Sequence, residues 1–81
     1  MKLKYIMYND KSFILLPLSQ SHDSVKTPEN KKIISAGFVN ITELINSNLI
    51  LVNVSGESAS LNIKSNYSDK LIIFKILNNR S

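Results

Sequence analysis

Polar side chains that can donate hydrogen bonds alternate with small or apolar ones between positions 58 and 64. Because successive side chains of a strand point to opposite faces, this alternation predicts a strand with one polar face. Hydroxyl, amide and ammonium groups are all donors, and an anionic ligand requires donors. The four residues of that face are Ser58, Ser60, Asn62 and Lys64.

Two residues outside this strand could complete a binding site. His22 is the only histidine, and it lies in a polar stretch that predicts a loop, where binding residues often occur. Tyr67 is the aromatic residue best placed to be exposed, and an exposed ring can stack on a nucleobase. The predicted ligand-binding residues are therefore His22, Ser58, Ser60, Asn62, Lys64 and Tyr67.

No combination of residues has the spacing of a catalytic or metal site. The six carboxylates form no pair that marks an acid–base couple, and no serine lies in a Gly-x-Ser-x-Gly sequence. The two glycines are too few for a phosphate-binding fingerprint, and the absence of cysteine excludes disulfides and thiolate metal ligands. We therefore predict a binding protein that is not an enzyme and needs no cofactor or metal.

The formal net charge of +4 favours an anionic partner, such as a nucleotide, a nucleic acid or an acidic protein surface. Nine of the ten basic residues are lysines, and they are scattered along the sequence rather than clustered. Arginine is better suited than lysine to grip a phosphate with two hydrogen bonds. A generally basic surface is the simpler interpretation, and nucleic acid is a possible partner that the sequence does not favour.

The length of 81 residues predicts a single domain, 1–81, with one modest core. A domain of this size buries a limited share of its surface, so we expect a homo-oligomer to supply further burial. The sequence has neither the pattern of a signal peptide nor an apolar run of about 18 residues that could span a membrane. We therefore expect a cytoplasmic protein that does not enter a membrane.

Alternating or continuously apolar runs predict five strands, at 2–8, 12–16, 33–41, 49–54 and 58–64. The polar stretch 18–30 predicts a loop with one or two short helical turns, and 42–48 predicts a helical turn or loop. Segment 69–79 is ambiguous, because its β-branched residues favour a strand whereas the preceding serines and Asp69 favour a helix. We choose the helix, so the expected fold class is α+β: an antiparallel sheet of about five strands with a C-terminal helix packed on one face.

Two features of these elements leave alternatives open. Gly37 falls inside the third strand, where it indicates either a bulge or the close approach of another backbone or ligand, or else dense packing against a helix. A helix at 69–79 would be apolar around most of its circumference, which is more than one sheet can cover. A dimer contact would use the excess.

Two segments carry a resemblance to a group of short phage and prophage proteins. Ser-Ala-Gly-Phe-Val at 35–39 and Gly-Glu-Ser-Ala-Ser-Leu-Asn-Ile-Lys-Ser at 56–65 resemble paired sequence blocks of that group. In the group a histidine precedes the first block, as His22 does here, and a helix follows the second. The resemblance implies a phage protein that acts in the cytoplasm of a bacterial host.

Small phage proteins include counter-defence proteins, and some of these are oligomeric sponges that sequester cyclic nucleotide signals of host immunity. This analogy of size and setting gives the leading hypothesis, in which a homo-oligomer sequesters an anionic, cyclic nucleotide at a subunit interface. The second hypothesis is a protein-interaction module that inhibits a host protein through an acidic patch. The third is a weakly basic nucleic-acid-binding domain.

Overall fold

The computed structural model describes residues 1–79, which form a four-stranded antiparallel sheet, a small two-stranded sheet and one helix. The fold is therefore α+β, as predicted, with four strands in the main sheet rather than about five. Arg80 and Ser81, the end of the predicted domain 1–81, lie outside the described residues. The elements are β1 (Lys2–Tyr8), β2 (Phe13–Leu16), β3 (Ile33–Leu44), β4 (Leu49–Ser55), β5 (Glu57–Ser58), β6 (Ile63–Lys64) and α1 (Asp69–Asn78).

The main sheet has the strand order β2-β1-β3-β4, so β4 is an edge strand. The long strand β3 pairs with β1 from Ile33 to Asn40 and with β4 from Phe38 to Leu44, so the β3–β4 hairpin extends beyond β1. The prediction of a helical turn or loop at 42–48 is wrong in its first half, because 42–44 continue β3. Asn48 closes the hairpin with φ 54°, a left-handed conformation that asparagine tolerates.

Each face of the main sheet supports a core. On one face, Tyr5, Met7 and Val39 pack with Val54 of β4 and Ile73 of α1. The opposite face carries a second cluster, which is covered by the polar loop after β2 and by the β5–β6 hairpin. The buried residues of this second cluster are Ile6, Tyr8, Leu16 and Ala36, and Val25, Leu61 and Ile63 pack against them.

The last element is a helix, as predicted, because α1 spans Asp69–Asn78 and packs on the sheet through the fully buried Ile73. The predicted excess of apolar surface is also present, since 63% of Leu71 and 52% of Ile76 are exposed. Ser68 occupies the N-cap position but makes no capping bond with its side chain. The beginning of α1 is instead held by Asp69.

Asp69 is a buried carboxylate that joins α1 to the middle of the sheet. One of its oxygens, Oδ2, accepts hydrogen bonds from the Tyr5 hydroxyl at 2.7 Å, from the Ser35 hydroxyl and from the Asn66 N–H at 3.3 Å. Burial, and then the hydrogen bond to Asp69, raise the pKa of the Tyr5 hydroxyl. The phenol therefore keeps its proton at neutral pH and serves as a donor to the carboxylate.

Gly37 lies where the chain after β4 crosses β3. A Cβ at this position would meet the Ser55 carbonyl oxygen at 2.7 Å and the Ser65 Cβ at 2.9 Å. Of the two interpretations of Gly37, the close approach of another backbone is therefore the correct one. Gly56 lies at the same crossing and also needs to be glycine. Its φ is 73°, which favours glycine, and a Cβ there would lie 2.9 Å from Phe38 Cδ2.

Candidate functional site

The residues predicted to bind a ligand do not form one surface. The segment 58–64 is not a strand, because only its ends pair, as β5 and β6, and the four residues 59–62 form a turn. The prediction that Ser58, Ser60, Asn62 and Lys64 share one strand face is therefore wrong. Ser60, Asn62 and Lys64 are exposed, whereas Ser58 is 1% exposed.

Local hydrogen bonds explain why this segment turns. The buried Ser58 hydroxyl accepts a hydrogen bond from the Leu61 N–H at 3.3 Å, a local bond that competes with extended backbone. Asn62 then takes a φ of 55°, which asparagine tolerates better than most residues. The turn places Leu61 and Ile63 on the second core, so the burial of two apolar side chains stabilises it.

His22 is buried rather than presented to a ligand, with 3% of its surface exposed. It lies in a short 3-10 turn, His22–Ser24, within the predicted polar loop. Its Nε2 is 3.0 Å from the Gly37 carbonyl oxygen, which can only accept, so Nε2 carries the proton in this bond. The ring also meets the ring of Phe38 edge-on, with 6.1 Å between centroids. His22 therefore braces the loop against β3.

The two sequence blocks that carry the phage resemblance meet each other in the fold. Gly37 of the first block is crowded by Gly56 and Ser65 of the second, and Gly56 in turn lies against Phe38. His22, the third part of the resemblance, bonds to Gly37. These residues form one close-packed junction at the crossing of β3, in which His22 and Gly37 are buried, and this role is structural.

Tyr67 is exposed, as predicted, with 70% of its surface accessible. The ammonium of Lys70 lies 4.0 Å from the centroid of the Tyr67 ring and donates a hydrogen bond to its hydroxyl. Lys70 also lines a groove, so this pair sits at the border of a concave surface. Within residues 1–79, no hydrogen bond or ring contact joins Tyr67 to another predicted site residue.

The groove between β4 and α1 has a volume of about 620 Å³, within the range of about 300–1,000 Å³ that is typical of ligand sites. We call it the β4–α1 groove. The part of the chain that the structure describes lines it with one ammonium, two carboxamides, one hydroxyl and apolar side chains, and with no carboxylate. The lining residues are Asn40, Thr42, Leu51, Val52, Asn53, Lys70, Leu71 and Phe74.

The groove lies along one flank of α1, and among residues 1–79 hydrogen bonds join this flank to β4 only near the C-terminal end of the helix. The Asn78 carboxamide accepts a hydrogen bond from the Ile50 N–H and donates one to the Ile50 carbonyl oxygen, both at 2.8 Å. Leu71, Phe74 and Asn78 follow one another at helical spacing and so share one flank of α1. That flank is closed against β4 at Asn78 and lines the groove at Leu71 and Phe74.

Sequence reasoning missed this groove, although it noted the excess apolar surface of the helix. Leu71 belongs to that excess, and the partly buried Phe74 lines the groove with it. The contribution of β4 could not be read from the sequence, because it depends on which strand lies at the edge of the sheet. Asn40 and Asn53 come together only through the β3–β4 register, in which they are directly paired.

Residues 1–79 show neither a cluster of metal ligands nor a membrane-spanning helix. This part of the chain holds no group of three or more histidine, aspartate or glutamate side chains that could bind a metal. The single α-helix within the described range is too short to cross a membrane.

No protein-family model matches the chain, and neither the curated proteins nor the solved structures include a significant match.

Proposed function

We propose that this chain is a non-enzymatic protein-interaction module that acts in a bacterial host, as a phage protein, by holding an acidic segment of another protein in the β4–α1 groove. The observation that carries the proposal is the chemistry of the groove. Among the described residues, Lys70 is the only charged one that lines the groove, and Leu51, Leu71 and Phe74 supply apolar contact area. A segment with one carboxylate beside apolar side chains would complement both.

The exposure of the groove supports this assignment. Leu51 and Leu71 remain substantially exposed, and exposed apolar surface next to polar groups is typical of protein-binding sites. The net charge of +4 would attract an acidic partner at long range and raise the rate of association. The proposal contains no chemical step, and the groove needs none of the predicted residues at 58–64.

Charge reversal at Lys70 tests the proposal. We expect Lys70→Glu to bind acidic segments at least about tenfold more weakly than the wild type, because the change places a carboxylate opposite a carboxylate. The measurement is selection from a display library of random linear peptides, followed by affinity measurement on the enriched sequences. The wild type should enrich peptides with an aspartate or glutamate next to apolar residues.

Lys75→Glu is the matched control, because Lys75 is an exposed lysine of the same helix that does not line the groove. It should select the same peptides as the wild type. Equal enrichment on the Lys70→Glu protein, or no enrichment on the wild type, would overturn the proposal.

A second candidate function is sequestration of a cyclic nucleotide by a homo-oligomer, and the Lys70–Tyr67 pair favours it. An exposed ring with an ammonium over its face could stack on a base while the lysine meets a phosphate. The paired carboxamides of Asn40 and Asn53 could bond to the edge of that base. We rank this candidate second, because Lys70 is the single basic residue among positions 1–79 that lines the groove of one protomer.

A thermal-shift panel of linear and cyclic nucleotides, at one salt concentration, tests this candidate. A true ligand present at about 100 times its Kd should add about 2.7 kcal/mol of apparent stability. Tyr67→Ala should abolish the shift, whereas Tyr8→Phe, within the second core, should keep it. No shift with any nucleotide in the panel would contradict nucleotide binding.

A further inference from the structure

We infer that the segment held in the β4–α1 groove is an extended strand that adds to the edge of the sheet by pairing with the backbone of Val52, with its carboxylate at Lys70. This inference rests on the proposed function, since it names how the groove holds its occupant. The partner it describes is an extended, acidic segment of another protein whose apolar side chains alternate.

The direction of the Val52 backbone follows from two sets of hydrogen bonds. Ile50 gives both of its backbone groups to the Asn78 side chain, so these groups face away from β3. In an antiparallel pair the groups that face outward recur at every second residue, so those of Val52 also face away from β3. Val52 lines the groove, so its N–H and carbonyl border the space that a ligand would occupy.

The opposite strand gives an independent check of this direction. Val52 is paired with Ile41 of β3. The Ile41 N–H donates to the Met1 carbonyl oxygen at 2.7 Å, and the Ile41 carbonyl accepts from the Met1 amine at 2.6 Å. Because Ile41 directs both groups toward β1, Val52 and Ile41 form a non-hydrogen-bonded pair.

Asn78 already occupies the place of a neighbouring strand at one position. Its carboxamide makes with Ile50 the same two bonds, one donated and one accepted, that a residue of a paired antiparallel strand would make. Within residues 1–79, no side chain does the same for Val52. At Val52, the next outward-facing residue of β4, an added strand would therefore make the same pair of backbone hydrogen bonds that Asn78 makes at Ile50.

The composition of β4 also fits strand addition. Natural edge strands are commonly protected by charged residues, proline or short length, but β4 has seven residues and the sequence Leu-Ile-Leu-Val-Asn-Val-Ser. Recognition by strand addition combines backbone bonds for affinity with side-chain contacts for specificity. Here Leu71 and Phe74 would contact alternate side chains of the segment, and Lys70 would bind its carboxylate.

Amide NMR with a defined probe tests the inference. The probe is a capped peptide of alternating valine and serine with one central aspartate. Two control peptides have the same sequence and are methylated on every second backbone nitrogen. One carries the methyl groups on its odd-numbered residues and the other on its even-numbered residues, which gives the two methylated registers. We expect the unmethylated peptide to shift the Val52 amide resonance downfield and to slow its hydrogen exchange, and we expect one methylated register to bind about tenfold more weakly.

A protein variant gives the reciprocal test. Val52→Pro removes an N–H that the β3–β4 ladder does not use, and edge strands tolerate proline at such positions. We expect Val52→Pro to bind the unmethylated peptide about tenfold more weakly than the wild type does. Val52→Ile, which keeps the N–H, should bind this peptide with the affinity of the wild type. Methylation of the peptide remains informative if the proline variant fails to fold.

The outcomes separate this inference from the proposed function. Equal binding of all peptides, with shifts confined to α1, would overturn strand addition but leave an acidic segment in the groove. The absence of any shift with this probe, when the display library still yields Lys70-dependent peptides, would also overturn strand addition alone. Failure of the library to yield such peptides would overturn the proposed function itself.

Discussion

Asp69→Ala is expected to lower the free energy of unfolding by about 2–5 kcal/mol, because two buried hydroxyl groups lose their acceptor. The Tyr5 and Ser35 hydroxyls both donate to Asp69 Oδ2 in the interior between α1 and the sheet. Each unsatisfied buried group costs about 1–3 kcal/mol, and small domains have only about 5–15 kcal/mol in total. Urea denaturation followed by circular dichroism measures the change.

Two comparison variants separate the buried network from general effects of charge. Asp69→Asn keeps one acceptor oxygen and should lose less stability than Asp69→Ala. Glu29→Ala removes a carboxylate from an exposed loop position and should change stability by no more than about 0.5 kcal/mol. If Asp69→Ala cost no more than Glu29→Ala, the anchoring role of the carboxylate would be refuted.

Gly37→Ala is expected to lower the free energy of unfolding by about 1–3 kcal/mol or more, since overpacking in a tight interior costs this much. The added methyl would lie 2.7 Å from the Ser55 carbonyl oxygen, which belongs to the backbone and cannot rotate away. The β4–β5 crossing would have to move off β3. Thermal and urea unfolding, compared with the surface variant Ser47→Ala, measure the loss.

A double variant shows which neighbour of Gly37 causes the strain. Ser65→Gly removes the Cβ that the new methyl would approach at 2.9 Å, but it leaves the Ser55 carbonyl in place. We therefore expect Gly37→Ala with Ser65→Gly to recover only part of the lost stability. Full recovery would show that the side chain, rather than the backbone, sets the limit.

The strands and the helix could be predicted because their signals are local. β1 alternates and ends at turn residues, and the helix signals before and at Asp69 outweighed the β-branched content of α1. The hairpin at 58–64 was mispredicted because alternation does not distinguish a half-exposed strand from a tight turn that buries Leu61 and Ile63. Two features distinguish the turn from a strand. The Leu61 N–H donates a hydrogen bond to the Ser58 hydroxyl, and Asn62 has a left-handed backbone conformation.

The groove could not be predicted because its parts are distant in sequence. Asn78 and Ile50 are 28 residues apart, and nothing in either local sequence indicates their contact. His22 illustrates the converse error: a lone histidine in a polar loop suggested a ligand contact, whereas its neighbour across the fold is the Gly37 carbonyl. In both cases the contact that determines the role of the residue joins positions distant in sequence, so the local sequence does not indicate it.

The two attachments of α1 determine how the groove would respond to an occupant. Asp69 fixes the first turn of the helix to the middle of the sheet, and Asn78 fixes the last turn to the edge of β4. The wall formed by Leu71 and Phe74 lies between these points, so its distance from β4 is set before anything binds. Such a preorganised cleft spends little conformational entropy on association, so short segments could bind without any rearrangement of the fold.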